Sequence, residues 1–187
     1  MKQRFLGLVD ETLTRYDADG IELDFCRTPP FFKPHQAFKH VEEMTAFMYQ
    51  AQEVVSKHSR TRGRDLKLLC RVPSSFDATL EAGLDAECWI KEGIVDLVAI
   101  SSAGGLRSEN DVARAVAASK SSDTLVYVGS GGTYPASPQN GYVDGHPSVR
   151  HAIAHNAYCQ GAAGVHLFNH DYANSRAEPI LSGDFSD

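Results

Sequence analysis

The chain lacks any apolar run approaching the roughly 18 residues of a membrane-spanning helix, so no membrane association is expected. Cysteine is sparse: the four residues Cys26, Cys70, Cys88 and Cys159 stand far apart, without a CxxC pair or a Cys/His zinc spacing. They are expected to be reduced core thiols, and no metal or cofactor is expected. Clusters of positive charge are missing too. The 18 Lys and Arg are scattered against 24 Asp and Glu, for a formal charge of -6, which argues against a nucleic-acid partner. Neither a dinucleotide fingerprint nor a Walker loop occurs, and Ser74-Ser75 lies outside any Gly-x-Ser-x-Gly nucleophile elbow. The first residues do not follow the pattern of a secretory leader, and the sequence assigns no compartment.

What is present is the balance of an ordinary globular domain, 42% hydrophobic and 22% charged over 187 residues, with no low-complexity tract or internal boundary. A single domain over residues 1–187 is expected. Phe5, Leu6, Val9, Leu13 and Tyr16 fall at helical spacing, and "GIELDF" follows as a strand. A helical pattern runs from about His35 to Ser56, closing in a polar, basic linker, "KHSRTRGRD". "LKLLCRV" reads as a second strand, "DATLEAGLDAECWIKEG" as a helix and "VDLVAIS" as a third strand. The rhythm continues through "ENDVARAVAAS", "TLVYVGSGG", "HPSVRHAIAHNAYCQG" and "AGVHLFNHD". Five strands alternating with five helices predict an α/β fold with a parallel sheet and right-handed crossovers.

The first strand separates two architectures. Ile21, Leu23 and Phe25 share one face, and Glu22 and Asp24 share the other. In an open, doubly wound sheet both faces are covered by helices, and the two acids would be buried ions costing several kcal/mol unless paired. A (β/α)8 barrel instead opens the inner ends of its strands into a polar mouth. Glu22, Asp24, Arg71 and His166 all sit toward the C-terminal ends of their predicted strands. Because a full barrel takes about 250 residues, the expectation is a partial (β/α)8 TIM barrel. It would be the C-terminal five-eighths, strands four to eight, completed by a homodimer or by a missing N-terminal barrel segment.

The stretch "YDADGIELDFCR" resembles the Asp-Gly-Ile-x-x-Asp strand motif of a largely uncharacterised TIM-barrel group of family 10 glycosylhydrolase-like proteins. "GLDAECWIKEGIVDLVAIS" and "YCQGAAGVHLFNHDY" are similar to later segments of that group in the same order. The resemblance implies a sugar-processing barrel with a carbohydrate substrate, and it makes the first strand here barrel strand four. One departure stands out: "CRVPSS", "ISSA" and "VGSGG" offer no second strand-end acid.

Glycosidases use two carboxyl groups, about 5 Å apart in retaining and about 6.5–9.5 Å apart in inverting enzymes. Residues i and i+2 of a strand lie roughly 6.5–7 Å apart, so Glu22 and Asp24 form a candidate catalytic pair. Asp24, nearer the mouth, is assigned as nucleophile or stabiliser, and Glu22 as acid or as the partner that orients Asp24. Arg27 and Arg71 would bind substrate or neutralise the pair. His166, Asn169 and Asp171 around the last strand would bind hydroxyls, and Phe31, Phe32, Tyr134 and Tyr142 could stack on a sugar.

Two other readings stand beside this one. Gly129, Ser130, Gly131 and Gly132 suit a phosphate-binding loop, which would make the protein a phosphometabolite lyase or isomerase. A non-catalytic carbohydrate-binding remnant also fits. His151, His155 and Cys159 at i, i+4 and i+8 read as a coincidental polar stripe, since no His-Glu-x-x-His motif accompanies them.

Overall fold

The computed structural model describes residues 2–26, 31–33, 35–101, 111–130 and 147–167. The chain opens on α1 (Lys2–Arg15), then β1 (Gly20–Asp24), a 3-10 turn (Ala37–His40) and α2 (Val41–Arg62). It continues through β2 (Lys67–Val72), α3 (Phe76–Glu81), α4 (Ala86–Lys91), β3 (Leu97–Ile100), α5 (Val112–Ser119), β4 (Leu125–Ser130), α6 (Pro147–Cys159) and β5 (Gly164–Leu167). The strands form one parallel sheet in the order β1-β2-β3-β4-β5.

That order decides between the two architectures. A doubly wound sheet reverses its strand order at a switch point, and no reversal occurs among these five strands. With right-handed crossovers throughout, a consecutive order places every helix on the same face. Packing agrees. Leu68, Cys70, Val72, Val98, Ile100 and Val126 are buried in one cluster with side chains of α1, α2, α3, α4 and α5. These strand residues all point to one face by the period of two. Ile21 and Leu23 of β1 pack against the same cluster. The opposite face carries Glu22, Asp24, Leu69, Arg71, Leu97, Ala99, Tyr127, Gly164 and His166, aligned across the sheet by the register. This singly wound α/β sheet is the arrangement of a partial barrel.

Three local expectations differ from the structure. The basic segment after Ser56 is helix, since α2 runs to Arg62 and stops at Gly63, whose φ of 65 and N–H to the Ser59 carbonyl make a left-handed cap. Arg62 ties that last turn down by donating to the carbonyls of Leu13, Tyr16 and Ala18. The single helix expected over residues 77–93 is two, α3 and α4. Gly83 turns the chain at φ 84, and Asp85 restarts the helix by accepting from the Cys88 N–H at 3.0 Å. Finally, Cys26 and Cys70 are core thiols as expected, but Cys88 is half-buried and Cys159 is exposed, and all four are free.

Candidate active site on the concave face

β1 and β5 are the first and last strands of the sheet. Four inter-strand spacings would separate them by about 19 Å if the sheet were flat. Yet His166 Nε2 of β5 lies 3.3 Å from Glu22 Oε2 of β1. The sheet therefore curls, and side chains from its two edges meet over the concave face.

Asp24 is held at both oxygens. Oδ1 accepts the Cys26 backbone N–H at 2.8 Å, and Oδ2 pairs with Arg71 Nη1 at 3.1 Å. Asp24 and Arg71 are register partners on adjacent parallel strands, so the strand pairing itself brings the carboxylate and the guanidinium together. Arg71 is buried while the Asp24 side chain keeps 31% of its exposure, so the carboxylate is reachable and its cation is not.

Glu22 is held differently. The hydrogen bond from His166 keeps its carboxyl below the usual range, against a smaller opposing effect of burial, with help from the charges of His166 and Arg71. A general acid needs the opposite shift. While paired, Glu22 is thus suited to accept a proton or to stabilise positive charge rather than to donate. His166 Nδ1 is buried without a hydrogen-bond partner among the described residues.

Cys26 continues the concave parity of Glu22 and Asp24. It is 1% exposed, and its thiol donates to the Ser101 carbonyl at 3.6 Å. Burial pushes that thiol up to about 11, with the Arg71 charge a smaller opposing influence. It is a packing group and no nucleophile near neutral pH.

Of the expected site residues, the curled sheet brings Glu22, Asp24, Arg71 and His166 together, while Arg27, Tyr134, Asn169 and Asp171 lie outside the described residues. Phe31 packs edge-on against Phe25 at 5.5 Å, and Phe32 stacks on His40 at 4.5 Å, so both are engaged in packing. Gly129 and Ser130 belong to β4 itself rather than to a loop. A Cβ on Gly129 would lie 2.4 Å from Cβ of Ser101, the residue just past β3, so that close approach accounts for the glycine; Gly131 and Gly132 lie outside the described residues. Among the described residues no three His, Cys, Asp or Glu converge as metal ligands, the His151, His155 and Cys159 stripe included.

Sequence reasoning missed Tyr127. Its place on the concave face follows from a register that pairs it with Ala99 and Gly164, which no single-strand pattern reveals. At the opposite, N-terminal ends of the strands, a shallow concavity is lined by Thr14, Arg15, Tyr16, Asp17, Arg62 and Arg64. Its Arg62 and Arg64 are engaged with backbone carbonyls and with Asp17 and Asp19.

The chain matches no protein-family model and no curated protein. Among the described residues no helix is long and apolar enough to cross a membrane.

Proposed function

We propose that the concave face processes carbohydrate in the manner of a glycoside hydrolase. The observation that carries this reading is the pair of strand-borne carboxylates on a curled parallel sheet, Asp24 set against the Arg71 guanidinium and Glu22 against the His166 imidazole. Glycosidic cleavage passes through an oxocarbenium-like state that carboxylates stabilise. Asp24, fixed in orientation by Arg71 and the Cys26 N–H, is the stabiliser beside the anomeric carbon. Glu22, kept ionised by His166, is the base. As the C–O bond breaks, water adds to the anomeric carbon and yields a proton to Glu22, while solvent protonates the departing oxygen and takes up the proton that Glu22 then releases.

A specific observation favours one other reading. Both Asp24 oxygens are already engaged, which also suits a site that binds sugar without cleaving it. In either case β1 and β5 have no further strand neighbour among the described residues. We read them as edges that a second chain or an N-terminal barrel segment would continue, making these strands four to eight of a barrel.

Hydrolysis of a panel of aryl glycosides tests the reading, alongside Asp24→Asn and Glu22→Gln. The expected result is turnover in the natural chain that falls by at least about a hundredfold in each variant. Sugar binding without turnover would establish the non-catalytic reading, and turnover equal in all three proteins would remove the pair from the chemistry.

A further inference from the structure

Tyr127 lies in the same cross-sheet row as Asp24, Arg71, Ala99 and Gly164. The residues flanking it in that row carry the two smallest side chains, a methyl group and a hydrogen. Gly164 is informative. A Cβ built on it would fall 2.6 Å from Tyr127 Cζ, 2.7 Å from Cε2 and 3.0 Å from Cε1. A point nearly equidistant from those three atoms sits over the face of the ring. A point beyond the hydroxyl would meet the oxygen first, and a point at the side edge would be far from one of the two Cε atoms. Since the Cα–Cβ direction of Gly164 points out of the sheet, the phenol lies flat on β5. One face covers Gly164, and the other is turned toward the concave space.

The ring is half-buried, so it is seated and still reachable. It occupies the strand next to His166 and the row of the Asp24–Arg71 pair. Aromatic rings set flat beside polar groups bind ligands with an apolar face and a polar rim, and a pyranose is built that way, with C–H bonds on its face and hydroxyls around its edge. From this geometry we infer that Tyr127 is the stacking platform that seats a pyranose ring against the carboxylates. This rests on the carbohydrate reading above and adds the residue that determines which sugar face is presented.

Binding of cellotriose, xylotriose, maltotriose, mannotriose and chitotriose, measured by calorimetry and by saturation-transfer NMR, tests the platform. Tyr127→Leu keeps bulk but removes the flat face, and it is expected to weaken trisaccharide binding by about tenfold. Tyr127→Phe keeps the face and should bind within about threefold of the natural chain. A Leu variant that binds as tightly as the natural chain overturns the platform and leaves the carbohydrate reading standing. A natural chain that binds none of the trisaccharides overturns both. Should the Leu variant fail to fold, Gly164→Ala, whose methyl displaces the ring from its seat, carries the same expectation and the same contrary result.

Discussion

Glu22 and His166 sit 144 positions apart, on the first and last strands of the sheet, with carboxylate and imidazole 3.3 Å from each other. That contact marks the curl of the sheet and holds the Glu22 carboxyl below its usual range. It has a measurable effect in acid. The folded-state pKa of Glu22 is depressed from its ordinary 4.5, so the stabilisation is complete above that ordinary value and is lost as pH falls through the depressed one. Denaturant titrations between pH 6 and pH 3 should show Glu22→Gln losing less stability on acidification than the natural chain. The difference is expected to be of order 1 kcal/mol, because the side chain is a third exposed and screened.

Asp24→Ala removes the partner of a buried guanidinium and the acceptor of the Cys26 N–H. A loss of about 3 kcal/mol in unfolding free energy is expected, close to the range for breaking one side of a buried pair. Asp24→Asn keeps an acceptor for the N–H and should lose less. Chemical denaturation of both variants checks the order, and it also shows which of them suits activity assays.

Gly164→Ala places a methyl group against the Tyr127 ring and should cost about 1–3 kcal/mol through overpacking. Combined with Tyr127→Ala, which empties that space, most of the cost should vanish. A double-mutant cycle reads the coupling as the shortfall from additivity.

The thiols should label in order of burial. Cys159 is exposed, Cys88 is half-buried with its thiol pushed up to about 11 chiefly by burial, and Cys26 and Cys70 are buried and raised for the same reason. Peptide mapping after brief alkylation of the folded protein at pH 8 should find the label first on Cys159, with Cys26 and Cys70 modified only after unfolding.

Trp89 is fully buried, its Nε1 donates to Thr45 Oγ1 at 2.9 Å, and its ring lies 5.5 Å from that of Phe25. Trp89→Ala should cost about 3–5 kcal/mol and appear in thermal unfolding as a large drop in midpoint.

Much of this architecture is legible in single-strand patterns. Alternation in "GIELDF" places Ile21 and Leu23 toward the helices and Glu22 and Asp24 on the other face, because strand side chains have a fixed period of two. The polarity of Lys57 to Arg62 hides their helicity, since that turn is secured by a side chain reaching backbone carbonyls 44 to 49 positions away. The partners of the two carboxylates are equally hidden. Asp24 meets Arg71 through strand register, and Glu22 meets His166 only through curl, and neither register nor curl is written in a local pattern. Tyr127 escapes for the same reason, although Gly164 opposite it in the register is a trace of the ring's position.

The curl that joins Glu22 to His166 brings the two edges of the sheet over one concave face. A stability double-mutant cycle at pH 6 on Glu22→Gln, His166→Gln and the double variant tests it most directly. A coupling of at least about 0.5 kcal/mol is the expected result for two groups in contact. Additivity within about 0.3 kcal/mol would mean that the two edge strands do not bring these side chains together, and the candidate site would come apart with them.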